Sequence, residues 1–466
     1  MGKRGALEEL ERLNVSPTDS QSIQDKIKST PDYLIIGAGF SGLTLGLRLV
    51  EAGKSVVIVE SDRQVGGLAA DFKLSNNHNL ERFYHHWFNN DYEINKIVRD
   101  LGLIKHLKEY PSNTGMYFNK TIWKLSSPID LLRFKVLSLP DRIRLGLVTL
   151  LVRRVKDWKA IEGKSIREWL EPLCGKKVYK NVWAPLVNAK FSIYKEDVSA
   201  AWMWKKIALR GSTRHRNGRE TLLYIDGGFG RLAKSIAKRF CDLGGEIVCE
   251  EKILELVTSG DFVVAVKSSS QRDYHPTEII FTGAPEQLAS IMRNCGKTNW
   301  LERLNSIKYL ANICLVLLLD RSLSKTYWLN VNDPGFPFVG VIEHTNLVSS
   351  KDYGSLHVVY LSRYISSHDA DFKLADDSYF EKCVQSLMEM FPNFKKSWIK
   401  EHYIWRAPFA QPIVTKNYSE IIPTKVTPFR NLYLNSMAQI YPEDRGTNYA
   451  IKSAESLTKV LLNKAF

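Results

Sequence analysis

Cysteine is scarce in this chain, and the scarcity is informative. Its six cysteines stand far apart, at 174, 241, 249, 295, 314 and 383, with no CxxC pair and no metal-ligand spacing. That excludes a disulfide framework, gives no reason to expect a metal site, and favours a reducing compartment such as the cytoplasm. No run of about 18 apolar residues occurs, so no spanning helix is expected. The opening MGKRGALEELERLNV lacks the apolar core of a signal peptide. Met1-Gly2 begins like a myristoylation site, but Ala6 stands where Ser or Thr is required. Acidic residues are also short: 50 Asp and Glu face 65 Lys and Arg, a net charge of +15. Such an excess suits an anionic partner, either a phosphorylated substrate or a membrane surface. Nucleic acid is set aside, because the basic residues are dispersed and no recognised module is present.

What is present is a chain of 466 residues with 44% hydrophobic and 25% charged side chains, enough for two cores. Residues 1–30 read as a polar extension with a short helix near Leu7–Leu13. Residues 31–112, 220–295 and 426–466 carry the pieces of a dinucleotide-binding domain. Between them, 113–219 (mostly helical) and 296–425 form a substrate domain. The expected fold is α/β: a Rossmann-like parallel sheet of the glutathione reductase type, with an inserted α+β domain.

The chemistry is most legible near the start. Tyr33–Ile36 is a short, continuously apolar run, as in a strand buried on both faces. Gly37-Ala38-Gly39-Phe40-Ser41-Gly42 follows at once and opens a helix, and Ser55–Val59 forms a second strand ending at Glu60. Gly37 permits the tight turn, Gly39 lets the backbone approach a pyrophosphate, and Gly42 allows close helix–strand packing. Phe40 and Ser41 open the helix whose N-terminus faces the phosphates. Glu60, with Ser61 beside it, suits ribose hydroxyls and disfavours a 2′-phosphate, which argues against NADP. A lone glycine loop would allow NAD or FAD. Gly66-Gly67-Leu68, six to eight positions after Glu60, is the extension that brings more backbone to the pyrophosphate and flavin side, and it points to FAD.

At this point the sequence resembles the flavin-containing amine oxidase superfamily, which includes protoporphyrinogen oxidases, phytoene desaturases and, more distantly, UDP-galactopyranose mutases. Tyr224–Leu232, containing Asp226-Gly227-Gly228-Phe229-Gly230, is similar to the family's glycine turn and helix. The strand after it, with Ile253, is implied to contact the adenosine half. Ile279–Pro285 looks like the strand-Thr-x-Pro piece near the flavin. Tyr441–Tyr449 resembles the last cofactor element, which implies that Arg445, Gly446, Thr447 and Asn448 present a helix N-terminus to the flavin's N1–C2=O edge.

Candidates for catalysis follow from the residues around these segments. Glu81-Arg82-Phe83-Tyr84-His85-His86-Trp87-Phe88 sets two histidines among aromatics just beyond the glycine doublet, so His85 or His86 is expected beside the flavin. The cluster also resembles the His-x-Phe-His stretch of the mutases, although Asn89-Asn90 stand where those carry a Thr. Lys190, in a segment with Trp202, Trp204 and Arg210, reads either as a lysine holding a water near flavin N5 or, more simply, as a surface lysine. Arg406, in Trp405–Pro412, is a candidate partner for an acidic or phosphate group. Residues 129–159 alternate Leu, Val and Ile with Lys and Arg; packing on a core of their own is the simpler account and an interfacial helix the alternative. The expected function is FAD-dependent oxidation of a small organic substrate, anionic or linked to a lipid or sugar, by hydride transfer to flavin N5. A flavin-dependent UDP-sugar mutase is the alternative. The expected location is the cytoplasm, with peripheral contact at the inner face of the membrane as an open variant.

Overall fold

The computed structural model describes residues 30–125, 127–212 and 220–463. The expected leader over 1–29 and the Arg210 side chain lie outside the described residues.

Five short strands form one parallel sheet in the order Glu246–Val248, Val56–Val59, Tyr33–Ile36, Glu278–Phe281, Leu432–Leu434. They come from distant parts of the chain, yet all but the edge strand Glu246–Val248 are largely apolar and buried on both sides, which is what a sheet covered on both faces requires. Tyr33, Ile35, Ile58 and Ile280 pack against the helices Phe40–Glu51, Gly228–Asp242 and Thr447–Asn463. Leu34, Val57, Val59, Ile279 and Phe281 face a small antiparallel sheet built from Ile253–Ser259, Phe262–Ser268 and Asp273–Tyr274. Leu34 and Ile35 are both fully buried. Each such side chain contributes about 1.5–3 kcal/mol relative to exposure.

A second, seven-stranded sheet runs in the order Ile399–Pro412, Tyr309–Leu319, His357–Ile365, Gly340–Glu343, Trp328–Val331, Thr114–Phe118, Thr121–Lys124. Thr114–Phe118 and Thr121–Lys124 form a hairpin: Asn119 and Lys120 adopt left-handed φ of 51° and 55°, turning the chain without a glycine. Glu246–Val248 and Ile253–Ser259 are likewise separated by a turn in which Glu250 has φ 58°. One face of the sheet is covered by the helix Asp376–Met390, packed on Ala311, Ile313, Leu315, Leu317 and Leu319. The other carries Cys314, Val316, Leu318 and Tyr360 toward the first domain. Helices between 128 and 212 form a further core with Phe134, Phe191 and Trp202.

Candidate active site

The glycine loop is built by backbone crowding. Gly37 has φ 109°, and a Cβ there would lie within 2.4 Å of the Thr282 hydroxyl. A Cβ on Gly42 would sit 1.9 Å from the Gly37 carbonyl oxygen. Gly39 differs, since its nearest neighbour would be the Gly67 Cα at 4.0 Å. The glycine doublet therefore lies directly over the loop, and Gly66 N–H donates to Ala38 O at 2.9 Å. Gly66 is forced by φ 117° and by Ala70 behind it. The helix Phe40–Glu51 begins with no side-chain cap and no acidic residue in its first turn, so its N-terminal N–H groups are open to an anion. Glu60 accepts from Ala38 N–H at 2.7 Å and Asp62 N–H at 2.9 Å, which aims its carboxylate across the loop mouth. Ser61 donates to it at 3.2 Å. Glu251 N–H donates to Glu60 O at 2.9 Å, bringing the run toward Ile253 to the same end. The residues fit a dinucleotide: an open backbone surface at Gly39, an uncapped helix and an acidic strand end.

Distant cofactor segments are tied together by side chains. The Asn435 amide donates to the Ser41 hydroxyl at 2.6 Å, and Ser453 donates to Asn435 Oδ1 at 2.7 Å, fastening the first helix to the last. Trp87 Nε1–H donates to the Thr447 hydroxyl at 2.6 Å. Asn448 Oδ1 accepts from Glu93 and Ile94 N–H at 3.0 and 3.2 Å, capping the helix Tyr92–Asp100. The Thr447 hydroxyl and the Asn448 side-chain amide oxygen are thus engaged by protein, and what this helix start offers a ligand is chiefly backbone N–H. Gly446 is exposed and Leu68 half-buried. The second glycine turn has its own reason. A Cβ on Gly228 or Gly230 would collide with the Glu81 or Asp71 carboxylate, at 2.7 and 2.2 Å. Those two acids lie against the N-terminal turn of the helix Gly228–Asp242, where Phe229 N–H donates to Glu81 at 2.7 Å.

Beyond the loop lies a polar and aromatic cluster that the sequence did not announce. The Arg445 guanidinium donates to the Tyr364 hydroxyl at 2.8 Å and lies 5.8 Å from that ring. Asp444 accepts from Lys190 at 2.9 Å, Lys206 at 2.5 Å and the Trp202 indole at 3.3 Å. Burial alone would raise the Asp444 pKa, but Lys190, Lys206 and Arg445 outweigh it and hold the carboxyl far below the usual range. Lys190 is therefore neither a surface lysine nor alone: its ammonium stands 5.3 Å from the Trp202 ring and 5.5 Å from that of Tyr364.

His85 and His86 separate clearly. His85 Nδ1 is 2.6 Å from the Phe83 carbonyl oxygen. A carbonyl only accepts, so Nδ1 carries the hydrogen and Nε2 presents a lone pair. Burial, with Arg445 adding to it, pushes the imidazole pKa down to about 4 against the opposing Phe83 bond. Its ring packs 5.0 Å from Phe229, which in turn meets Phe40 of the glycine loop at 6.5 Å. His86 turns the other way, with Nδ1 2.9 Å from the Tyr327 hydroxyl and its ring edge-on to Trp328. Tyr84 is half-buried beside Trp328 and Tyr360, and desolvation by its surroundings holds its hydroxyl pKa well above the ordinary value.

Arg406 does not join this group. Its guanidinium donates to Phe372 O at 2.9 Å and Leu374 O at 2.8 Å and pairs with Asp376 at 2.5 Å. The reason is pleat: Arg406 is in register with Ile313, on the face covered by the helix Asp376–Met390. Trp405, in register with Cys314, takes the cofactor face and packs on Phe72 at 5.0 Å.

The loop, the doublet and the clustered termini define a flavin-dependent oxidoreductase. The profile of the family described as flavin containing amine oxidoreductase matches residues 40–455, and the chain belongs to that family. It is 22% identical over 456 residues to a 15-cis-phytoene desaturase of an Oncidium hybrid cultivar, covering 89% of this chain and 75% of that protein. The fold also matches a putrescine oxidase variant at TM-score 0.73 with 13% identity, over 93% of this chain and 99% of the other. A reduced UDP-galactopyranose mutase matches at TM-score 0.71 and 14% identity, over 92% and 96%. The cofactor is FAD, and the family acts on small-molecule substrates.

Proposed function

We propose that this enzyme oxidises a small organic substrate at a carbon–hydrogen bond in the cluster around His85, Tyr84, Tyr364 and Arg445. FAD, when bound, would supply the two-electron acceptor for the hydride that leaves this carbon. The observation that carries the reading is His85. It is uncharged at neutral pH, fixed by Phe83, and has a lone pair on Nε2 available to receive a substrate proton. Tyr84 and Tyr364 supply an aromatic, low-dielectric wall against which a substrate would be oriented and water displaced. Arg445 sits between this wall and the closing helix, where Gly446 and the backbone N–H groups of Thr447 and Asn448 would hold the flavin edge. Lys190 acts through Asp444, fixing the segment that carries Arg445.

A redox-neutral mutase acting on a nucleoside-diphosphate sugar is favoured by one feature: three cations, Lys190, Lys206 and Arg445, surround a single carboxylate, Asp444.

Anaerobic titration distinguishes the two. Under the oxidation reading, amine or polyene substrates bleach the flavin stoichiometrically in the absence of reductant. Turnover of a UDP-sugar only after dithionite reduction, with no bleaching by any reduced substrate, would overturn it.

A further inference from the structure

The helix Leu139–Val152 is apolar on two opposite sides. Leu145, Val148 and Val152 are buried in the core that also holds Phe191 and Trp202. On the other side Leu139, Ile143, Leu147, Leu150 and Leu151 are 52–56% exposed. They recur at steps of four, four, three and one, a continuous stripe along the helix. The preceding helix Pro128–Arg133 adds Ile129 and Leu132, 59% and 54% exposed. Arg142 fastens the two helices, donating to Leu137 O at 2.8 Å and Leu132 O at 2.6 Å. A contiguous apolar surface of this kind is left bare when something else covers it in use.

Charge decides what covers it. Between 129 and 156, every charged side chain that is exposed is basic: Arg133, Lys135, Arg144, Arg153, Arg154 and Lys156. The two acids of the stretch, Asp130 and Asp141, are half-buried at helix starts capped by Ser127 and Ser138. A second copy of the same surface would bring like charges together, which opposes self-association. A surface of phosphate headgroups over hydrocarbon satisfies both the stripe and its basic rim. No helix among the described residues is long and apolar enough to cross a membrane.

We propose that residues 128–156 form a seat that docks the enzyme on an anionic bilayer. The leucine stripe enters the headgroup–acyl boundary and the arginines and lysines meet lipid phosphates. The seat rests on the same core as Trp202, whose indole holds Asp444, so the docked face and the candidate active site share one rigid unit.

Co-sedimentation of the FAD-loaded full chain with vesicles tests this. Vesicles of phosphatidylglycerol and phosphatidylcholine should bring the wild type down at least about tenfold more than phosphatidylcholine alone. I143E/L147E/L150E should lose that binding while keeping bound flavin and the wild-type melting temperature. R153S/R154S, which leaves the stripe intact, should lose the preference for anionic lipid. The proposal is overturned if wild type stays in the supernatant at low ionic strength, or if the triple variant pellets like wild type. It is also overturned if light scattering shows a wild-type dimer that the triple variant dissociates. Should the triple variant fail to retain flavin, the R153S/R154S result decides.

Discussion

The parallel sheet and the seven-stranded sheet solve burial in different ways, and function divides along the same line. In the first, the surface open to a dinucleotide is backbone, so the determining residues are glycines and short apolar strands. In the second, strands as long as Tyr309–Leu319 are buried on both faces, and parity alone decides which of the two cores a side chain joins. Backbone sites advertise themselves in sequence, while sites set by side-chain parity do not.

The largest effect that would sharpen this contrast lies within the glycine loop. Gly42→Leu should abolish soluble protein, because its Cβ meets the Gly37 carbonyl inside the fold. Gly39→Leu should leave the apo form folded, since no protein atom lies closer than 4.0 Å, yet lose FAD by at least about 100-fold in affinity. Thermal unfolding of both apo forms separates the cases; equal damage would break the distinction between packing and cofactor glycines.

Asp444→Asn comes next. Removing the carboxylate's charge takes from Lys190 and Lys206 the anion they share, and with Lys206 34% exposed the unfolding stability should fall by about 1–3 kcal/mol, measured by denaturant titration. A loss under about 1 kcal/mol would mean the cluster is hydrated and plays no part in holding Arg445.

His85→Gln should slow flavin reduction by about 10²–10⁴-fold with FAD binding intact, as stopped-flow absorbance would read. For wild type the rate should stay level as pH falls and drop only toward about pH 4, where the imidazole protonates. The sign for stability agrees. Between about pH 6.5 and 4 the unfolded chain binds more protons at this residue than the folded one, so acid favours unfolding. A limb near about pH 6.5 instead would show that His85 is solvated or is not the base.

The smallest effect separates neighbours across the second sheet. Arg406→Ala should cost about 1–3 kcal/mol of stability through lost bonds to 372–376 while leaving substrate KM unchanged. Trp405→Ala, on the cofactor face, should alter flavin spectra or turnover; the reverse pattern would invert the assigned faces.

Sequence alone determined the cofactor. Gly37, Gly39 and Gly42 after a buried strand, Glu60 at the end of the next, and Gly66-Gly67 beyond it specify a backbone shape that few other residues can adopt, and shape of that kind is written locally. It also brought His85 and His86 forward, though not which of them turns inward. That was decided by the Phe83 carbonyl and by Tyr327, the latter 241 positions away from His86. Tertiary structure alone assembled Asp444 with Lys190, Lys206 and Trp202, which carry no shared motif and stand 238 to 254 positions away from it. It alone sent Arg406 to the face covered by the helix Asp376–Met390, because the strand Ile399–Pro412 mixes polar and apolar side chains on both faces and no clean alternation marks its two sides.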